Sequence, residues 1–154
     1  MTHYNQSTRQ RVADINLGLR VDRATATLPA TTAAAIFNVL GGRVAVTIVG
    51  EVTTVLGAVV TNLSIQSNPT TGTTTAMCGV LAIANLEAGT LFTIDGTAAT
   101  ALQAGSSGSV RGQNTPVIVA IGAIELLTSA TNTGSVKWSI FYVPIDDGAY
   151  IAAA

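Results

Sequence analysis

The chain has 154 residues, of which 48% are hydrophobic and only 10% charged. An ordinary soluble domain carries about 25% charged residues, so this chain must hide surface, either in a membrane or against other protein. The formal net charge of −1 supplies no basic field to draw nucleic acid, and a single cysteine, Cys78, excludes an intrachain disulfide.

The membrane reading fails on length. A spanning helix needs about 20 consecutive apolar residues. The longest apolar stretches, around Val44 to Val49 and Val117 to Ile121, are far shorter and are bounded by Gly, Thr or Pro. Residues 1–23 are polar and Arg-bearing and lack the apolar run of a secretory signal. The expectation is a soluble chain, made in the cytoplasm, whose low charge favours an obligate oligomer, because permanent interfaces are poor in charge.

Taken in chain order, residues 1–23 stand apart. They hold Arg9, Arg11, Arg20 and Arg23 with Asp14 and Asp22, whereas the later cations are Arg43, Arg111 and Lys137. This segment reads as an extended N-terminal arm that orders on a partner, joined to a body over residues 24–154. The body reads as strand, turn, strand. Ala24 to Leu28 ends at Pro29. Ala34 to Leu40 and Arg43 to Val49 flank Gly41-Gly42, a pair suited to a tight hairpin. Glu51 to Leu56 and Val59 to Gln66 follow, with Gly50 and Gly57 as breaks, and then a loop from Ser67-Asn68-Pro69 through Thr75. Further strands are expected at Met77 to Ile83, Thr90 to Ile94, weakly at Ala98 to Ala104, and at Pro116 to Ala120, Ala123 to Thr128 and Ser135 to Val143. Helical candidates are limited to short pieces near Thr31 to Ala35 and Ala98 to Gln103.

The periodicity is two. In the last of these strands Val136, Trp138, Ile140 and Tyr142 share one face, and Lys137, Ser139, Phe141 and Val143 the other. Thr, Val and Ile dominate, and β-branched residues suit pleated surfaces. Many short strands with Gly-marked turns predict an all-β, antiparallel β-sandwich or jelly-roll-like body. Several strands are apolar on both faces, which calls for a second cover, most simply a neighbouring subunit.

Material for catalysis is scarce. His3 is the only histidine and Glu51, Glu87, Asp95 and Glu125 fall on different elements, so no acid–base pair is visible. Asp146-Asp147-Gly148 reads as a turn rather than a calcium loop. Ser106-Ser107-Gly108-Ser109 lacks the order of a nucleophile elbow, and Cys78 sits among apolar neighbours as a buried thiol. No catalytic residue, cofactor or metal is assigned, and the chain reads as a non-enzyme. Trp138, Phe141 and Tyr142 could offer a sugar-stacking platform, but their split between two faces makes them core anchors first.

The segments Arg23-Ala-Thr-Ala-Thr-Leu-Pro, Ala34-Ala-Ile-Phe-Asn-Val-Leu-Gly-Gly-Arg-Val, Gly50-Glu-Val-Thr-Thr-Val and Gly134-Ser-Val-Lys-Trp-Ser-Ile-Phe-Tyr-Val-Pro-Ile-Asp-Asp-Gly-Ala resemble small virion proteins of tailed bacteriophages. The resemblance covers roughly residues 20–150 and rests on turn-and-strand signatures. Within that group the chain looks like a capsid decoration, or cement, protein. The resemblance implies a β-rich homotrimer on the virion surface, bound to the major capsid protein, with an arm carrying Arg9, Arg11, Arg20 and Arg23 against the shell and no partner in nucleic acid or membrane. The alternative is a head-spike or tail-fibre module that binds host surface glycans.

Overall fold

Strict alternation in the longest apolar segments forces inside and outside apart. Val44, Val46, Ile48 and Val52 are buried on one strand and Val136, Trp138, Ile140 and Tyr142 on another, and these faces must be covered by a second layer. The computed structural model describes residues 18–154 and is all-β. Its strands are β1 (Leu19–Thr27), β2 (Ala33–Leu40), β3 (Val44–Thr54), β4 (Thr61–Pro69), β5 (Thr75–Ala76), β6 (Leu81–Ile83), β7 (Leu91–Thr93), β8 (Gln103–Gly105), β9 (Val117–Val119), β10 (Gly122–Thr128), β11 (Ser135–Pro144) and β12 (Tyr150–Ala153).

They form two antiparallel sheets packed face to face. One runs β1-β11-β3-β7-β8, with β9 also on β3; the other runs β12-β2-β10-β4-β5, with β6 also on β4. The ladders taken in chain order show the winding. β1 pairs with β11, β2 with β10, β3 with β9, and β4 with β5 and β6. Early strands therefore meet later ones in reverse order, as the rungs of one long hairpin, and successive rungs alternate between the sheets. This is jelly-roll winding. The core between the sheets includes Phe37, Ile65, Phe92, Ile124 and Trp138, all essentially inaccessible to water.

Several expectations are corrected. Gly41-Gly42 does not make a hairpin: β2 and β3 lie in different sheets, and the turn carries the chain across the sandwich. Gly41 has φ 76°, and the backbone of Gly148 sits where its Cβ would be, so the site excludes a side chain on both counts. Gly50 is not a break, since β3 runs through it beneath the Trp138 ring. β4 runs into the expected loop as far as Pro69, held by β10 down to the Pro69–Gly122 rung, and the loop follows from Thr70. The short helical candidates are turns and strand starts instead. Pieces of five or six residues cannot recover the cost of helix nucleation.

β3 also shows how side chains complete a ladder. β9 covers its Val44–Val46 edge and β7 its Val49–Glu51 edge. In the gap, Gln113 replaces a strand: Ile48 N–H donates to its Oε1 at 3.0 Å and its Nε2 donates to the Val46 carbonyl at 2.9 Å. Buried backbone groups without a partner are costly, and here one amide side chain supplies partners to β3 in the gap between β9 and β7.

Candidate functional site

Among the described residues β1 is the outermost strand of its sheet, and its ladder partner is β11. The arm boundary drawn at residue 23 therefore falls inside a strand. Arg20 and Arg23 belong to the sheet, and Arg9 and Arg11 lie outside the described residues. Spacing of three along a strand also sends Arg20 and Arg23 to opposite faces. Arg20 and Asp22 stand opposite Phe141 and Ser139 on the outer face, and Arg23 stands opposite Trp138 on the inner one.

On the outer face the charges are matched. Arg20 Nη2 lies 2.5 Å from Asp22 Oδ2, and Ser139 Oγ donates to Asp22 Oδ1 at 2.7 Å. The Arg20 guanidinium, with help from Ser139, holds the Asp22 carboxyl below its ordinary range. Lys137 Nζ pairs with Glu51 Oε2 at 2.9 Å. Charges along an edge strand also discourage unwanted strand addition.

Arg23 differs. The ion pairs among the described residues join Arg20 to Asp22, Arg43 to Asp146 and Lys137 to Glu51, and none includes Arg23. Its Nε is buried and has no hydrogen-bond partner among the described residues. The register shifts by a bulge between Arg23 and Ala26, so the β1 ladder is interrupted beside it.

Trp138 meets it from β11. The indole's six-membered ring lies over Gly50 on β3 and stacks on Phe92, with centroids 5.9 Å apart and planes 15° apart. Nε1 is on the edge of the indole away from Gly50, and on its other side Trp138 has Arg23 of β1 as its register partner. Trp138 is 1% exposed, and its Nε1 also has no partner among the described residues. A cavity of about 250 Å³ opens at this point, lined by Arg23 and Trp138 together with Asp22, Thr25, Lys137 and Ser139.

A second feature lies on the outer face of the same sheet. Ala45 on β3 is flanked in register by Val143 on β11 and Ile118 on β9. Ile118 is 67% exposed and Val143 42%. Ile145 and Ile121, in the loops that follow β11 and β9, are exposed as well.

The remaining candidates are structural. Asp146 accepts from the Arg43 backbone N–H at 2.7 Å and from its guanidinium at 2.7 and 2.9 Å, which pulls its carboxyl down to about 2. Glu125 accepts from Gln66 Nε2 and Asn68 Nδ2. No cluster of three or more His, Cys, Asp or Glu side chains able to hold a metal occurs among the described residues, and they include no helix long and apolar enough to cross a membrane. Cys78 is buried, and Trp138 and Tyr142 belong to the core.

The Arg23–Trp138 pair escaped sequence reasoning because the register that creates it joins distant segments. One local signal existed: in Leu19, Val21, Arg23 the arginine occupies the apolar phase of the strand. Comparison of the chain with protein-family models, with curated proteins and with solved structures finds no match.

Proposed function

We propose that this chain is a structural subunit of a tailed-phage virion, of the capsid decoration type. Copies associate as a homotrimer through the apolar outer face around Ala45, and the oligomer sits on a shell of major capsid protein at the virion surface. The observation that carries the reading is the row Val143–Ala45–Ile118, an apolar strip across one end of a sheet face that an isolated β-sandwich would keep polar. The jelly-roll winding adds support by analogy, since that architecture recurs in viral capsid and lectin domains. Binding to the assembled shell, and not to its separated subunits, would stabilise the particle by linkage. Many copies would let each contact be modest.

The glycan-binding alternative has less behind it. It needs aromatic faces open to a sugar, and Trp138 and Tyr142 are 1% and 6% exposed. Light scattering on the purified chain and on Ile118→Lys tests the assembly. The expected result is a trimer for the parent and a folded monomer for the variant. A parent chain that is monomeric at millimolar-range subunit concentration would sink the reading.

A further inference from the structure

We infer that Arg23 and Trp138 form a receiving site for a carboxylate at the β1 edge of the sandwich. The two residues are register partners on the inner face. Each carries a buried N–H donor, Nε of Arg23 and Nε1 of Trp138, that has no acceptor among the described residues. A buried donor without a partner is costly, and two such donors on register partners, one of them carrying a positive charge, define the missing group. It must accept two hydrogen bonds and be negative. A carboxylate does both, since its two oxygens match the side-on fork of an arginine while a neighbouring N–H takes a free lone pair.

The surroundings fit that chemistry. The other cations at the cavity, Arg20 and Lys137, are already neutralised by Asp22 and Glu51, so Arg23 is the cation there without a described counter-charge. The bulge beside Arg23 leaves the β1 ladder interrupted where a ligand would enter. Gly50 and Phe92 fix the indole from the far side, so Nε1 is held in place before anything binds. The carboxylate can come from two sources: Asp14 of this chain, or an acidic side chain of a second polypeptide, such as a shell subunit. The second source would give the proposed assembly a specific contact, but the site itself is defined by this chain alone and does not depend on shell binding.

The test uses the full chain and its single tryptophan. The indole N–H gives one cross-peak in a proton–nitrogen correlation spectrum, and its position reports whether Nε1 donates to an acceptor. Sodium acetate is titrated against sodium chloride at equal ionic strength, on the parent chain, Arg23→Gln, Arg23→Lys and Asp14→Asn. A saturable downfield shift with acetate in the parent, lost in Arg23→Gln and weakened in Arg23→Lys, supports the site with an external carboxylate as ligand. A parent peak already downfield, moved upfield by Asp14→Asn and restored by acetate, supports the site with Asp14 as occupant. An indole peak that neither acetate nor any of these substitutions moves, in variants that keep the parent's dispersed spectrum, overturns the inference. No shell is present, so failure here is separate from failure of the assembly.

Discussion

Trp138 rests on Gly50: a Cβ at Gly50 would sit 2.6 Å from Cζ3 of the indole and under 3 Å from its Cε3 and Cη2. The glycine is not there for a turn, since it lies in the middle of a continuous strand. It is there because the ring needs the space above its Cα. Gly50→Ala should therefore destabilise the fold by about 1–3 kcal/mol, the usual cost of overpacking a filled core. Urea unfolding followed by the emission of Trp138 measures it. A neutral or stabilising outcome would mean that the ring is free to slide.

Gln113→Ala should cost about 1–3 kcal/mol as well, by a different route. It strips the acceptor from Ile48 N–H and the donor from the Val46 carbonyl, both on a central strand. Gln113→Glu keeps an acceptor for the Ile48 N–H but turns a carboxylate oxygen on the Val46 and Thr115 carbonyls, so at neutral pH it should cost at least as much as the alanine. Equal midpoints for all three chains would show that water replaces the side chain without loss.

The Arg43–Asp146 pair predicts an acid-dependent contribution. The Asp146 carboxyl is held at about 2 against an ordinary 3.8, with the Arg43 side chain as first cause. A carboxyl whose folded pKa is depressed adds stability above its unfolded value and loses it as the pH falls through its folded one. The gap in urea midpoint between the parent and Asp146→Asn should be steady at neutral pH and close between 3.8 and about 2. Both groups are exposed, so the gap should also shrink in high salt.

Cys78 should be silent in the native state. Burial raises its thiol pKa, against a smaller opposing effect of the hydrogen bond from the Ile65 N–H to Sγ at 3.3 Å. A thiolate-specific reagent should label the chain only in denaturant. Fast native labelling would require an opening of the β4–β5 corner.

Composition and turn residues were enough to mark β2, β3, β10 and β11, and period-two alternation separated the two faces of β3 and β11, where Val44, Val46, Ile48, Val136, Trp138, Ile140 and Tyr142 are all buried. What local pattern could not reveal was partnership. Gly41-Gly42 looks the same whether its flanking strands pair with each other or diverge to two sheets, and only the sandwich as a whole decides it. β12 was missed because Tyr150-Ile-Ala-Ala is short and Ala-rich, and it is held by its rungs to β2 rather than by β propensity. Gln113, in a segment with no strand signal, gives no hint that it completes a ladder. The Arg23–Trp138 pair was half legible, as an arginine out of phase in a strand, but its partner is set by register.

The reversed order of the ladders has a consequence for the ribosome. Asp22 and its hydrogen-bond partner Ser139 are 117 residues apart, so at roughly 5–20 residues per second of synthesis the first strand emerges some 6–23 s before the strand it will pair with. Through that interval Leu19 and Val21 have no sheet to join. Charged side chains discourage strand addition, so Arg20, Asp22 and Arg23 make this waiting segment a poor template for pairing with its neighbours on the same message.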